Sequence, residues 1–117
     1  MSQGARTARV GEEFREVLAV AIQKLKDPRV GFVTVTGVKV SPDLRRAWVY
    51  YTALGEEKER AGTRAGLRSA APHLRRTLGH EVRLKFLPDL EFQEDTSGKE
   101  GARIEALLAE LNRRERG

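Results

Sequence analysis

Sixteen of the 22 cationic side chains are arginines. Five of them, Arg60, Arg64, Arg68, Arg75 and Arg76, lie in one window that contains no carboxylate. A guanidinium is a planar fork of donors that fits phosphate bidentately, so this density points to recognition of a phosphate-bearing partner. Arg60, Arg64 and Arg68 are spaced i, i+4, i+8 and form a sloping row on a helix. Like charges at that spacing repel by about 0.2–0.5 kcal/mol per pair unless an anion sits between them. Arg45 and Arg46 open a strand-like stretch, and Arg6 and Arg9 stand near the N-terminus as assisting contacts. The alternative is a solvated face whose arginine stems cover apolar surface.

The residue types that perform bond-making chemistry are sparse. Cysteine is absent, which removes a thiolate nucleophile, a thiolate metal site and any disulfide together. His73 and His80 have no clustered partners, so neither a metal site nor a cofactor is expected. Ser2, Ser41, Ser69 and Ser97 sit in no nucleophile-elbow context, and no Walker loop occurs. Asp89, Glu91, Glu94 and Asp95 form an acidic patch, which reads as a solvated strand-to-loop edge. The expectation is a binding protein with no small-molecule substrate, not an enzyme.

The formal charge of +5 and pI near 10 support an anionic partner. Its distribution is polarised, with +3 over residues 56–80 and −3 over residues 81–98. A chain of 117 residues fits one domain. No apolar run approaches the roughly 20 residues of a membrane helix. The N-terminal stretch has no apolar core of a signal peptide, so a reducing cytoplasm and no membrane partner are expected.

Residues 1–9 read as a flexible basic arm, residues 10–111 as the core with its terminal helix, and residues 112–117 as a charged tail. Phe14, Val17, Leu18, Ala21, Ile22 and Leu25 form one helical stripe, with Glu12, Glu13 and Glu16 in its first turns; Asp27-Pro28 ends it. Residues 32–40 are rich in β-branched side chains, and the phase slip at Gly37 predicts a bulge. Ser41-Pro42-Asp43-Leu44 supplies a turn, after which Ala47, Val49 and Tyr51 alternate with Arg46, Trp48, Tyr50 and Thr52. Leu67, Ala71, Leu74 and Leu78 mark a second helical region, which Pro72 makes either two helices or one sharply kinked helix broken near Ala70-Ala71-Pro72. Arg60 and Arg64 point near its apolar side and should overhang the core, accessible. Gly79 reads as a helix stop, and Val82, Leu84 and Phe86 as a third strand. Its Arg83 and Lys85 would join Lys39, Arg46, Trp48 and Tyr50 on the wet face of the sheet, a platform for stacking bases. Ile104, Leu107, Leu108 and Leu111 predict a short last helix. The fold class is α+β, with helices on one face of a three-stranded sheet.

Several motifs in this order resemble the bacterial ribosome-binding factor A family. They are Asp27-Pro28-Arg29, Val38-Lys39-Val40-Ser41-Pro42-Asp43-Leu44, Ala47-Trp48-Val49-Tyr50, Leu74-Arg75-Arg76 with Leu78-Gly79, and the run from Leu84 to Phe92 leading to Asp95. The resemblance implies a KH-like, type II domain. It also implies a non-enzymatic assembly factor that binds the free small (30S) ribosomal subunit and supports maturation of its 16S rRNA, notably in the cold. Ordinary KH domains clamp a nucleotide backbone with a GxxG loop between two helices, and this sequence has none there. The family carries an Ala-x-Gly kink instead; the matching positions are Ala70, Ala71 and Pro72, with proline where glycine is usual. A monomer is expected. The competing reading is a permanent ribosomal component, or a protein-docking module, on the same scaffold.

Overall fold

The computed structural model describes residues 3–95. They form helix α1 (Gln3–Gln23), strands β1 (Val33–Val40) and β2 (Arg46–Ala53), helix α2 (Glu57–Glu81) and strand β3 (Asp89–Glu94). The sheet order is β1-β2-β3; β1 and β2 are antiparallel and β2 and β3 parallel. Both helices cover one face, giving the expected α+β arrangement. The expected last helix and charged tail lie outside the described residues.

Phe14, Leu18, Ala21 and Ile22 of α1 meet Val35, Ala47, Val49, Tyr51 and Ala53 of the sheet and Leu67, Leu74 and Leu78 of α2. The strand alternation in β2 therefore falls as its sequence implies, with the odd positions inward. At Gly37 the ladder slips: Val35 faces Tyr51 while Gly37 faces Tyr50, leaving Thr36 as the bulged residue. The turn after β1 closes with the Leu44 amide donating to the Ser41 carbonyl at 2.8 Å. The Asp43 carboxylate accepts from the Ser41 hydroxyl at 2.7 Å and from the Arg45 amide at 3.1 Å, so its pKa is held below the usual range.

Three expectations are corrected and one open alternative is settled. Residues 3–9 are not an arm but the opening turns of α1, so Glu12, Glu13 and Glu16 fall in mid-helix rather than beside its positive end. The helix runs on through Gly11, where a Cβ would collide with the Val38 carbonyl oxygen; the glycine lets α1 cross β1 at backbone distance. Second, α2 is a single helix containing Pro72, the alternative of two separate helices being excluded.

Third, residues 82–88 are not a strand; the strand is Asp89–Glu94, where Leu90 and Phe92 alternate with Asp89, Glu91 and Gln93. Helix length explains the shift. The 25 residues of α2 travel about 37 Å at 1.5 Å per residue, whereas the eight of β2 span about 26 Å at 3.3 Å. A parallel strand must begin level with Arg46, so the chain spends residues 82–88 climbing back to that register. Pro88 lacks a donor and immediately precedes the ladder, which starts as the Asp89 amide donates to the Arg45 carbonyl at 2.8 Å. Fourth, Gly79 does not stop α2, which ends two residues later. A Cβ there would lie 2.5 Å from Leu87 Cδ2, so its bareness admits the climbing segment.

Candidate nucleic-acid interface

The parallel strand decides which arginines are paired within the molecule, because it brings the acidic patch under α2. One turn into the helix, Arg60 and Arg64 both reach Glu94: Arg60 Nη1 donates to Oε1 at 3.0 Å and Arg64 Nη1 to Oε2 at 2.9 Å. Their other ends share Glu57, at 2.8 and 2.5 Å. The Arg60 side chain is 19% exposed and that of Glu94 13%, so this is a half-buried clamp between helix and sheet, not the accessible row expected. The pairing with Glu57 holds the Arg64 guanidinium above its ordinary pKa.

Arg75 is also committed inward. Its Nε donates to the Pro88 carbonyl at 2.8 Å, and its Nη2 to the Leu87 carbonyl at 3.2 Å, with Asp89 3.3 Å away. Arg46 pairs with Glu91 at 2.8 Å and lies 5.3 Å from the Trp48 ring centroid. So the acidic patch is not a bare edge: three of its four carboxylates hold arginines of the expected binding set. The repulsion along the arginine row is relieved within the molecule itself.

Arg68 and Arg76 are exposed on the outer side of α2 and make no ion pair among the described residues. They flank Ala70, Ala71 and Pro72, of which only Pro72 is exposed. Pro72 supplies no N–H, so the Arg68 carbonyl has no helical donor four residues on. Arg9 is exposed on α1.

The climbing segment builds a second group. Arg6 on α1, the turn at Pro42, Asp43 and Leu44, and Arg83 and Lys85 of residues 82–88 line one groove of about 260 Å³ around Phe86. Arg45 stacks with its Cζ 4.3 Å from the Phe86 centroid, and Lys85 Nζ lies at 5.7 Å. Two cations thus lie over one half-exposed ring and two more line the same groove, while Asp43, the lone carboxylate of the lining, accepts from the Ser41 hydroxyl and the Arg45 backbone amide. Cations over an exposed aromatic ring can neutralise phosphate and present a stacking surface together.

Sequence periodicity assigned Arg83 and Lys85 to the sheet. The expected joint platform is therefore divided: Lys39, Arg46, Trp48 and Tyr50 stay on the open sheet face, with Lys39 opposite Trp48, while Arg83 and Lys85 join Arg6 and Arg45. The local signal was present in Arg83-Leu84-Lys85-Phe86 and in the Pro42 turn motif, but only the topology makes them neighbours.

The Asp27-Pro28-Arg29 motif proves to be a tether. Arg29 donates its amide to Asp27 at 2.9 Å, its guanidinium to both Asp27 oxygens, and Nη2 to Ser69 Oγ at 3.2 Å. Buried Thr63 accepts from the Gly31 amide at 3.2 Å, which ties the same loop to α2. Among the described residues no group of His, Asp and Glu is arranged to hold a metal ion, and no helix is long and apolar enough to cross a membrane.

Comparison with known proteins agrees with this architecture. The family model described as ribosome-binding factor A matches residues 6–108. A protein of that name from Geobacter sulfurreducens is 47% identical over 107 residues, covering 91% of each chain. The crystal structure of ribosome-binding factor A from Thermus thermophilus superposes with a TM-score of 0.69 at 35% identity, covering 75% of this chain and 93% of that one. A Thermus thermophilus homology model of the factor, fitted into a cryo-electron-microscopy map of a 30S complex, has a TM-score of 0.64 at 36% identity over 77% of this chain and 96% of its own. With its motifs, element order and mixed sheet accounted for, this chain belongs to the ribosome-binding factor A family.

Proposed function

We propose that this chain is a non-enzymatic assembly factor that binds the free 30S subunit in the cytoplasm, acting as a monomer through 16S rRNA phosphates. In this reading it supports maturation and processing of that RNA, including in the cold. The observation that carries the RNA contact is the groove around Phe86, where Arg6, Arg83 and Lys85 line the wall, Arg45 stacks on the ring, and Asp43 is the single carboxylate of the lining. A surplus of that size in one concave place attracts a polyanion, and the exposed Arg68 and Arg76 extend it along α2. Support for the ribosomal partner comes from the Thermus thermophilus relative fitted into a 30S complex map.

The test is sedimentation of the full chain through sucrose gradients of ribosomal particles. Comigration with free small subunits and absence from translating ribosomes is the expected profile. The triple variant Arg6→Glu, Arg83→Glu, Lys85→Glu should leave the subunit peak, and comigration like the unmodified chain would overturn the groove's role. Stoichiometric presence in translating ribosomes would favour the permanent-component reading instead.

A further inference from the structure

Between the two helices, on the side away from the sheet, lies a groove of about 390 Å³ whose apolar floor is Val17, Val20 and Ala21. Val20 is 52% exposed there, a large hydrophobic side chain left open to water. The helices pass the groove in opposite directions. α1 runs from the level of Val38, at Gly11, to that of Val33, at Ile22, whereas α2 runs from Gly31, at Thr63, to Pro88, at Arg75. Lys24 and His73 therefore stand at one end of the groove, and Glu16 and Glu81 at the other. Lys24, Glu16 and Glu81 make no ion pair among the described residues.

One segment of the chain matches this surface in pattern, length and charge. Within residues 96–117, Ile104, Leu107, Leu108 and Leu111 fall at i, i+3, i+4 and i+7, a helical stripe about 11 Å long. Lys24 and Glu16 are eight residues apart, about 12 Å along α1. Residues 112–117 hold Arg113, Arg114 and Arg116 against Glu115, a net +2 that suits the Glu16 and Glu81 end, and Glu105 then falls toward Lys24. The opposite direction would set the arginines on Lys24.

The exit of the chain favours the same direction. The Asp95 amide donates to the Tyr51 carbonyl at 2.6 Å, so β3 ends at the edge of the sheet to which α1 brings Lys24. Along α2, Arg64, which holds Glu94, lies nine residues or about 14 Å from His73, and a helix is about 10–12 Å wide. Residues 96–103 span up to about 26–29 Å when extended, enough to cross α2 and enter the groove at its Lys24 end.

We infer that residues 104–111 dock as a third helix in the groove between α1 and α2, their leucine stripe covering Val17 and Val20. The segment runs in the same direction as α2 and carries Arg113, Arg114 and Arg116 toward the end of the molecule that holds Arg83. The docking concerns how the chain covers its own apolar surface and does not depend on the RNA-binding reading.

The chain has no cysteine, so an introduced pair reports proximity without background. Two full-chain variants are oxidised at low micromolar concentration and resolved on non-reducing gels: Val20→Cys with Leu108→Cys, and Thr52→Cys with Leu108→Cys, the latter probing the open sheet face. The first pair should close an intramolecular disulfide at least tenfold faster than the second. Comparable rates, no closure by either pair, or faster closure to Thr52 overturn the inference. A disulfide-linked dimer as the main product of the first pair gives the groove to a second copy and overturns it too. Amide hydrogen exchange is the independent measurement. In the variant Leu107→Asp, Leu108→Asp, residues 16–24 should exchange about tenfold faster than in the unmodified chain, with residues 46–53 unchanged as the sign that the core stays folded. Equal exchange of residues 16–24 in the two chains overturns the docking. Neither measurement involves RNA, so failure of the proposed function leaves both readouts intact.

Discussion

Arg75 is fastened to Pro88: from the second half of α2 its Nε donates, at 2.8 Å, to the carbonyl oxygen of the residue that introduces β3. Together with the bond to Leu87, this fixes where the climbing segment ends and hence where the parallel strand begins. An arginine in a basic helix looks like a phosphate ligand; this one makes its hydrogen bonds to the backbone of the segment that leads into β3.

Arg75→Ala should therefore destabilise the protein. A hydrogen bond involving a charged group contributes about 1.5–3 kcal/mol, and the half-exposed setting puts the loss near the lower figure, about 1–2 kcal/mol. Urea unfolding measures this. Unchanged stability with weakened subunit binding would return Arg75 to the phosphate-binding set.

Gly11 gives a second prediction. Because a Cβ there meets the backbone carbonyl of Val38, no side-chain rotation relieves the clash, and α1 must move off β1. Gly11→Ala should cost about 1–3 kcal/mol, the usual range for overpacking, despite alanine's better helix propensity. By contrast, Gly37→Ala meets nothing within 4 Å and should be mild. Equal melting temperatures for Gly11→Ala and the unmodified chain would contradict the close crossing.

The third prediction concerns acid. The Asp27 carboxylate is held below its ordinary pKa first by the Arg29 guanidinium and then by the Arg29 amide. A carboxyl whose folded pKa is depressed contributes stability at neutral pH, and that contribution is lost as pH falls through the folded value. Asp27→Asn should thus have a lower urea midpoint than the unmodified chain at pH 7. The gap should narrow on acidification below about pH 4, where the unmodified side chain also becomes neutral. A gap that stays constant through this acid range would show that the carboxylate charge is not what holds the loop.

Much of the fold was legible because local periodicity was strong. The stripe from Phe14 to Ile22, the alternation through Tyr51 and the phase slip at Gly37 each became the element they imply, although α1 ends at Gln23, short of Leu25 and of the expected stop at Asp27-Pro28. Periodicity failed where two alternating runs, 82–86 and 90–94, competed for one strand position. Nothing in either run decides between them, since the winner is set by how far α2 overshoots β2. The N-terminal turns were missed for a related reason: residues 3–9 show no apolar stripe, and the close approach of α1 to β1 just beyond them, at Gly11, is invisible as hydrophobicity.

The sequence by itself determined the elements' chemistry: a basic, cysteine-free α+β chain whose charge is concentrated in arginine. Only the tertiary structure divided those arginines. By pairing β3 with β2 it set Glu91, Glu94 and Asp89 against Arg46, Arg60, Arg64 and Arg75, and left Arg68 and Arg76 facing outward. The reason is the range of the interactions. Periodicity is read over a few residues, but a guanidinium 30 or more positions from its carboxylate is neutralised only when the chain returns beside it.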